Sequence, residues 1–266
     1  MHKTIALTLA LLALPALAAQ AQTWGDLTAT FIYDGKAPAP KPTDVNKDQQ
    51  FCGKHGLVDE DLVVNAKNNG IANVVVYLMP AAGAKVSVHP DYAKTANDVV
   101  KIENKNCRYS PHVTVMRTTQ QLVVGNPDPI GHNSKGDFFA NSAFNVLIPA
   151  GGETKIPKFV AAEKNMSPLS CSIHNWMNGY LLIKDDPYAA VSDADGKLTI
   201  KNLPTGKWTF VVWQEKSGNI DEVKQNGKAV KWTRGRVELD IKAGANNLGE
   251  IKIPPSTIDK KLRPKK

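Results

Sequence analysis

Val191-Ser-Asp-Ala-Asp195-Gly196-Lys-Leu-Thr-Ile200-Lys-Asn-Leu-Pro204-Thr-Gly206-Lys-Trp208-Thr-Phe-Val-Val-Trp213 reads as short strands separated by tight turns. Leu198 and Ile200 alternate with polar neighbours, a second apolar run starts at Trp208, and Asp195-Gly196 and Pro204-Thr-Gly206 supply the turn chemistry between them. The same grammar recurs along the chain. Leu27 to Tyr33, Val74 to Leu78, Val113 to Val115, Leu122 to Val124, Tyr180 to Ile183 and Val237 to Ile241 are further β-type runs. Asp34-Gly35, Asn69-Gly70, Asn226-Gly227 and Ala243-Gly244 are turn signals. No long stretch keeps a helical stripe, so the expected class is all-β, most simply sandwiches. Asn97 to Glu103 and Phe159 to Met166 are the exceptions, where a helical turn could fit without altering the class.

With 266 residues and 42% hydrophobic content, the chain can bury one large or two small cores and is not of disordered composition. Residues 1–21 read as a secretory signal peptide: Lys3, then an apolar run from Ile5 to Ala19 broken only by Thr8 and Pro15, then Ala19-Gln20-Ala21. Its apolar core is too short for a bilayer of roughly 30 Å, and no later stretch reaches about 18 uninterrupted apolar residues. The expectation is an exported protein, periplasmic or extracellular, with no transmembrane segment after signal removal. The formal charge is +8, part of it in the tail Lys260-Lys261-Leu262-Arg263-Pro264-Lys265-Lys266. A basic surface of this kind steers acidic partners, redox proteins or anionic headgroups. No nucleic-acid motif is present.

The chemistry concentrates in Cys171-Ser-Ile-His174-Asn-Trp-Met177. A thiol, an imidazole and a thioether, three residues apart in one loop, can reach a common point just before the strand from Tyr180. One thiolate, two imidazoles and a weak axial thioether suit both Cu(I) and Cu(II). The second imidazole is expected from His132, in Leu122-Val-Val-Gly-Asn126-Pro-Asp128-Pro-Ile-Gly-His132-Asn133, where a strand runs into a loop.

These residues resemble the cupredoxins, in which one histidine is followed by Asn and the other ligands come together on a late loop; the Cys-x-x-His-x-x-Met spacing is most similar to amicyanin. The likeness spans Cys107 to Lys184 and takes in Tyr109-Ser-Pro111-His-Val113-Thr-Val115. The stretch Val191 to Trp213 resembles the carboxypeptidase regulatory-like, transthyretin-like family. Together the two resemble exported cupredoxins labelled methylamine utilisation proteins. The layout this implies is a signal peptide at 1–21, a cupredoxin-like Greek-key copper domain with an N-terminal β extension at 22–184, a small Ig-like or transthyretin-like sandwich at 185–254, and a basic tail at 255–266. The usual opening strands of that small sandwich are missing before Val191, and Asp26 to Pro38 and Ile71 to Leu78 are plausible substitutes.

The resemblance implies one type 1 copper held by His132, Cys171, His174 and Met177, with Asn133 hydrogen-bonded across to the cysteine loop at Ser172. It implies a one-electron carrier that is not an enzyme. The partner would be a redox protein such as a c-type cytochrome or a periplasmic dehydrogenase, docking at an exposed edge of His174 rimmed by Trp176 and Met166. Cys52 and Cys107 are left to form a disulfide. Two residues depart from the pattern: Asn175 where Pro is frequent, and Gln214 where His is frequent. Trp208, Trp213 and Trp232 are expected in the second core, and His55, His89 and His112 at surfaces or strand ends. The rival readings are structural zinc, which favours four Cys or His ligands, a cysteine nucleophile lacking any orienting group, a copper-delivery module, and an interaction protein acting through the C-terminal sandwich.

Overall fold

In the computed structural model, which describes residues 22–259, the chain is all-β. The strands form four sheets. The first has Trp24–Tyr33 between Lys197–Pro204 and Gly244–Ile253, continuing through Glu222–Gln225 to Lys228–Lys231. The second runs Val113–Arg117, Asn178–Lys184, Ser167–Ser170, His132–Gly136, Phe144–Ile148. The third holds Ala189–Val191, Val75–Leu78, Gly206–Gln214 and Gly218–Asn219, with Arg236–Ile241 also on Gly206–Gln214. The fourth is Arg108–Ser110, Val99–Lys105, Gln121–Gly125, Glu153–Lys155.

Side-chain alternation places these sheets in layers. Trp24–Tyr33 buries every second residue; Leu27 and Phe31 join Val76, Phe210 and Ile251 in a core between the first and third sheets. Ile102, Leu122, Ile148, Leu169 and Leu181 form a second core between the second and fourth. Val75–Leu78 is buried throughout: Val76 and Leu78 face the first core, while Val75 and Tyr77 meet Val113, Leu182 and Val211 in a third. Asn178–Lys184 splits likewise, Leu181 and Ile183 inward to the second core and Leu182 to the third. Two sandwiches therefore pack against each other through the outer faces of the second and third sheets.

Strand pairing crosses the division drawn at 184/185. Trp24–Tyr33 and Val75–Leu78 fall within 22–184 and overlap the segments named as substitutes for the small sandwich's opening strands; they pair with Lys197–Pro204, Gly244–Ile253 and Gly206–Gln214. This pairing has a local cause in the turns. Gly196 takes φ +78, and a Cβ there would sit 2.2 Å from Phe31 O; Asn65 and Asn68 donate to Asp195 Oδ1 at 2.9 and 3.1 Å. The two glycine turns, Asn69-Gly70 and Asp195-Gly196, thus close on each other from far apart in sequence.

Four further expectations need correction. Asn97 to Glu103 is not helical, because Val99–Lys105 pairs in parallel with Gln121–Gly125. Phe159 to Met166 holds no helix either, and short helices lie instead at Gln49–Cys52 and Pro255–Ile258. The segment assigned to the basic tail begins inside the fold: Thr257 and Ile258 are buried, and Ile258 joins the first core. Trp232 and Trp208 belong to that core, but Trp213 packs on Tyr180 between the sandwiches, ring centroids 4.8 Å apart. The signal peptide expected at 1–21 and residues 260–266 lie outside the described residues. No helix among the described residues is long and apolar enough to cross a membrane.

Candidate metal centre

Cys171 directly follows the strand Ser167–Ser170, and Met177 directly precedes Asn178–Lys184. These two strands pair antiparallel, Ser170 opposite Asn178, so the intervening loop must double back. It does so by backbone bonds, Cys171 N–H to Met177 O at 3.1 Å and Met177 N–H to His174 O at 2.9 Å. Cys171 and Met177 are both buried in the second core, and Cys171 is a free thiol.

His132 opens the neighbouring strand, His132–Gly136. One nitrogen of His132, one of His174 and Cys171 Sγ lie within 4.8 Å of one another, all buried. The imidazoles are 4.6 Å apart between centroids, and His174 Nδ1 is 3.8 Å from Cys171 Sγ.

Each imidazole has its other nitrogen committed to a carboxylate. His132 Nε2 meets Asp128 Oδ2 at 3.0 Å and His174 Nε2 meets Asp48 Oδ2 at 2.8 Å. The Nδ1 atoms are thereby left for the shared space. His132 Nδ1 is buried without a hydrogen-bond partner. Burial holds the His132 pKa below its ordinary value, His174 nearby acts the same way, and Asp128 opposes both. A neutral imidazole donating from Nε2 presents a lone pair at Nδ1, the form a metal requires. The donor set, two Nδ1 atoms and a thiol with Met177 closing the same loop, fits copper in a trigonal nitrogen and sulfur environment. Cys107, Asp128 and His132 also cluster, but Cys107 is committed to a disulfide with Cys52, Cα atoms 5.5 Å apart.

Asn133 ties the two halves together. Its Oδ1 accepts from Ser172 N–H at 2.6 Å, Ile173 N–H at 3.2 Å and Cys171 Sγ at 3.3 Å, while Nδ2 donates to Asn145 Oδ1 at 2.8 Å and Ser172 Oγ at 3.4 Å.

Asp128 and Asp48 were not singled out by sequence. Asp128 is buried and accepts Asn106 N–H at 2.7 Å and Cys107 N–H at 2.8 Å as well as His132. Its spacing of four from His132, with a proline on either side of it at Pro127 and Pro129, was the available signal. Asp48 carries no local signal, lying 126 positions from His174. It sits at the N-cap of Gln49–Cys52 in the left-handed region, φ 48, yet its carboxylate makes no cap bond. An Asp in that position ordinarily accepts from the first helical turn; here it reaches His174 instead.

The expected exposed edge of His174 is therefore corrected. His174 is 0% exposed, because Asp48 covers Nε2 on one side and Trp176 packs against the ring, centroids 5.1 Å apart. Trp176 is half-buried, its Nε1 donating to Cys107 O at 3.1 Å. Met166 is no rim residue: it packs between the sandwiches. Gln214 is buried and donates to Asp61 O at 2.6 Å. Asn175 is exposed. His55 packs edge-on against Phe51, His89 accepts Asp91 N–H, and His112 pairs with Glu215.

No protein-family model and no curated protein matches the chain. Among solved structures it is similar to a copper-containing nitrite reductase from Thermus scotoductus, at 15% identity and TM-score 0.29 over 40% of this chain and 25% of that one. It is also similar to a purple cupredoxin from Nitrosopumilus maritimus, at 19% identity and TM-score 0.26 over 32% of this chain and 98% of that one. An amicyanin variant in the Cu(I) form matches at 11% identity and TM-score 0.29 over 32% of this chain and 82% of that one. The chain thus spans about a quarter of the reductase and most of the two smaller proteins. Likeness at this level does not extend to function.

Proposed function

We propose that the protein is an exported type 1 copper protein that carries single electrons, with His132 Nδ1, His174 Nδ1 and Cys171 Sγ as the trigonal ligands and Met177 as the axial one. The observation that carries this reading is the buried, unpartnered His132 Nδ1 beside a free buried thiol and a second Nδ1. An unsatisfied polar atom in a core costs about 1–3 kcal/mol, and a bound cation removes that cost. Copper bound there supplies a Cu(I)/Cu(II) couple. The chain's own residues do the rest: Asp128 and Asp48 hold the imidazole orientations, Asn133 holds the cysteine loop, and the surrounding core excludes water, so little has to rearrange when the charge changes. The disulfide fits export to an oxidising compartment.

The test is addition of Cu(II) to the mature chain. An intense absorption near 600 nm, of the kind the cupredoxin resemblance implies, is expected at about one copper per chain, and Cys171→Ser should abolish it. A colourless product, or colour that survives in Cys171→Ser, would overturn the assignment. The full burial of His174 and Cys171 favours retention over delivery, so a chelator should strip the metal in far longer than seconds.

A further inference from the structure

The disulfide between Cys52 and Cys107 stands behind both imidazoles of the centre. On one side, Asp48 caps the short helix that ends at Cys52. Its carbonyl accepts Phe51 N–H and Cys52 N–H, each at 2.9 Å, while its carboxylate holds His174 Nε2 at 2.8 Å. On the other side, Asp128 Oδ2 accepts Cys107 N–H at 2.8 Å and meets His132 Nε2 at 3.0 Å, so one oxygen serves both. Trp176, inside the ligand loop, donates from Nε1 to Cys107 O at 3.1 Å while its ring packs on His174. Both imidazoles and the loop that carries Cys171 and Met177 thus lead back to one of two bonded cysteines.

The backbone at Cys107 is held against its own preference. Lys105 and Arg108 pair across a two-residue hairpin turn whose central residues, Asn106 and Cys107, take φ 54 and φ 56. Such a turn needs the left-handed conformation at both positions, and the second is ordinarily glycine. Asn tolerates that region; Cys is strained there. In this form the N–H groups of Asn106 and Cys107 both point at the Asp128 carboxylate, at 2.7 and 2.8 Å, a concave pair of donors that suits an anion. The side chain that disfavours the turn is the one through which the cross-link fastens it.

We propose that Cys52 and Cys107 are positioning residues for the metal centre and that their disulfide is a redox latch, the centre reaching full affinity only once the bond has closed. The inference rests on the copper reading above and adds its regulation. Closure passes two electrons and two protons from the two thiols to the disulfide of a thiol–disulfide oxidoreductase, which leaves as a dithiol. Cys107 then fixes Asp128 and Cys52 fixes Asp48, so that each imidazole has its Nε2 directed and its Nδ1 left for metal. With the bond open, the turn at Asn106 and Cys107 is free to leave its left-handed form, and Asp48 depends on a helix of four residues, too short to persist alone. Cys107 Sγ is also released within 4.8 Å of ligand atoms of Asp128 and His132, where it competes for the outer side of His132. The chain therefore resists loading in a reducing compartment and retains metal where disulfides persist.

The test separates positioning from plain stability. Cys52→Ala/Cys107→Ala and Cys52→Ala/Cys107→Gly are compared with the parent and with Val223→Ala, which loosens the first core and touches no residue of the centre. In competition with a Cu(I) chelator, the alanine pair should bind copper about 10–100-fold more weakly than the parent, and its Cu(II) absorption band should be displaced. Val223→Ala should keep both affinity and band. The glycine pair, which adopts the turn without strain, should recover part of the affinity and of the band position. In the metal-free parent, the Nε2 protons of His132 and His174 should exchange slowly with solvent by NMR, and dithiothreitol should speed both while the amide spectrum stays dispersed. An alanine pair that binds no more weakly than Val223→Ala, or a glycine pair no better than the alanine pair, overturns the proposal. So does proton exchange at His132 that ignores dithiothreitol, or a collapse of the whole amide spectrum, which would make the bond a support of the fold alone. A parent that takes up no copper sinks the copper assignment, whereas the exchange measurement, made without metal, tests the latch by itself.

Discussion

At the scale of single residues, the centre is set apart by where its imidazoles send their second nitrogen. Asp128 reaches His132 from four residues away and Asp48 reaches His174 from 126 positions away. Carboxylates in this position orient a ligand ring and raise its basicity, and their loss ordinarily lowers metal affinity about 10–100-fold. Asp48→Ala should therefore weaken copper binding by about that factor in competition with a chelator of known affinity. It should also expose the ring, so that diethylpyrocarbonate modifies His174 in the metal-free variant faster than in the parent. Unchanged affinity together with unchanged reactivity would show that Asp48 neither orients nor covers the ligand. Asp48→Asn, which keeps an oxygen acceptor at the same place, should recover much of the affinity.

At the scale of elements, the segment bearing Asp48 is held by the bond between Cys52 and Cys107, which closes a loop of sequence separation 55. A cross-link of that span is worth about 4 kcal/mol by loop entropy. Replacing both cysteines by alanine should lower the denaturation midpoint accordingly and, in the still-folded variant, raise the reactivity of His174; an unchanged midpoint would rule the cross-link out as a major support. The cysteines were legible because only three exist and the chain looks exported, and Cys171, His174 and Met177 because one short loop carries them. The strands that sequence made plain, such as Trp24–Tyr33, have one buried face and strict alternation. Two of those it missed are polar: His132–Gly136 reads His-Asn-Ser-Lys-Gly, and Ser167–Ser170 reads Ser-Pro-Leu-Ser. Their conformation is imposed by sheet neighbours, not by their own composition. Val99–Lys105 was misread for a related reason, since only Ile102 and Glu103's neighbour Asn104 are buried in it, too few to display a period of two.

At the scale of the whole molecule, the site-bearing sandwich is inserted into the other one. Trp24–Tyr33 lies between Lys197–Pro204, to which it is antiparallel, and Gly244–Ile253, to which it is parallel. Val75–Leu78 lies between Ala189–Val191 and Gly206–Gln214. Local pattern showed the C-terminal strands and offered Asp26 to Pro38 and Ile71 to Leu78 as the segments that complete them, but not their neighbours in the sheet, because pairings between strands this far apart in sequence, one of them parallel, leave no connecting turn to mark them. The consequence is that residues 185–259 are not an independent unit. Without the two early strands they lose Leu27, Phe31, Val76 and Leu78 from the core, at about 1.5–3 kcal/mol for each large apolar side chain, and they expose unpaired edges on the four strands that pair with them. Four such losses approach or exceed the roughly 5–15 kcal/mol that keeps a typical domain folded. A fragment of 185–259 should accordingly give a collapsed amide spectrum with no cooperative melt, and the chain from 22 to 259 a dispersed one with a single main transition. A fragment that melts cooperatively on its own would mean that the early strands decorate this sandwich instead of completing it, and the route by which the two sandwiches hold each other in register would have to be sought in the interface around Val75, Tyr77, Val113 and Leu182.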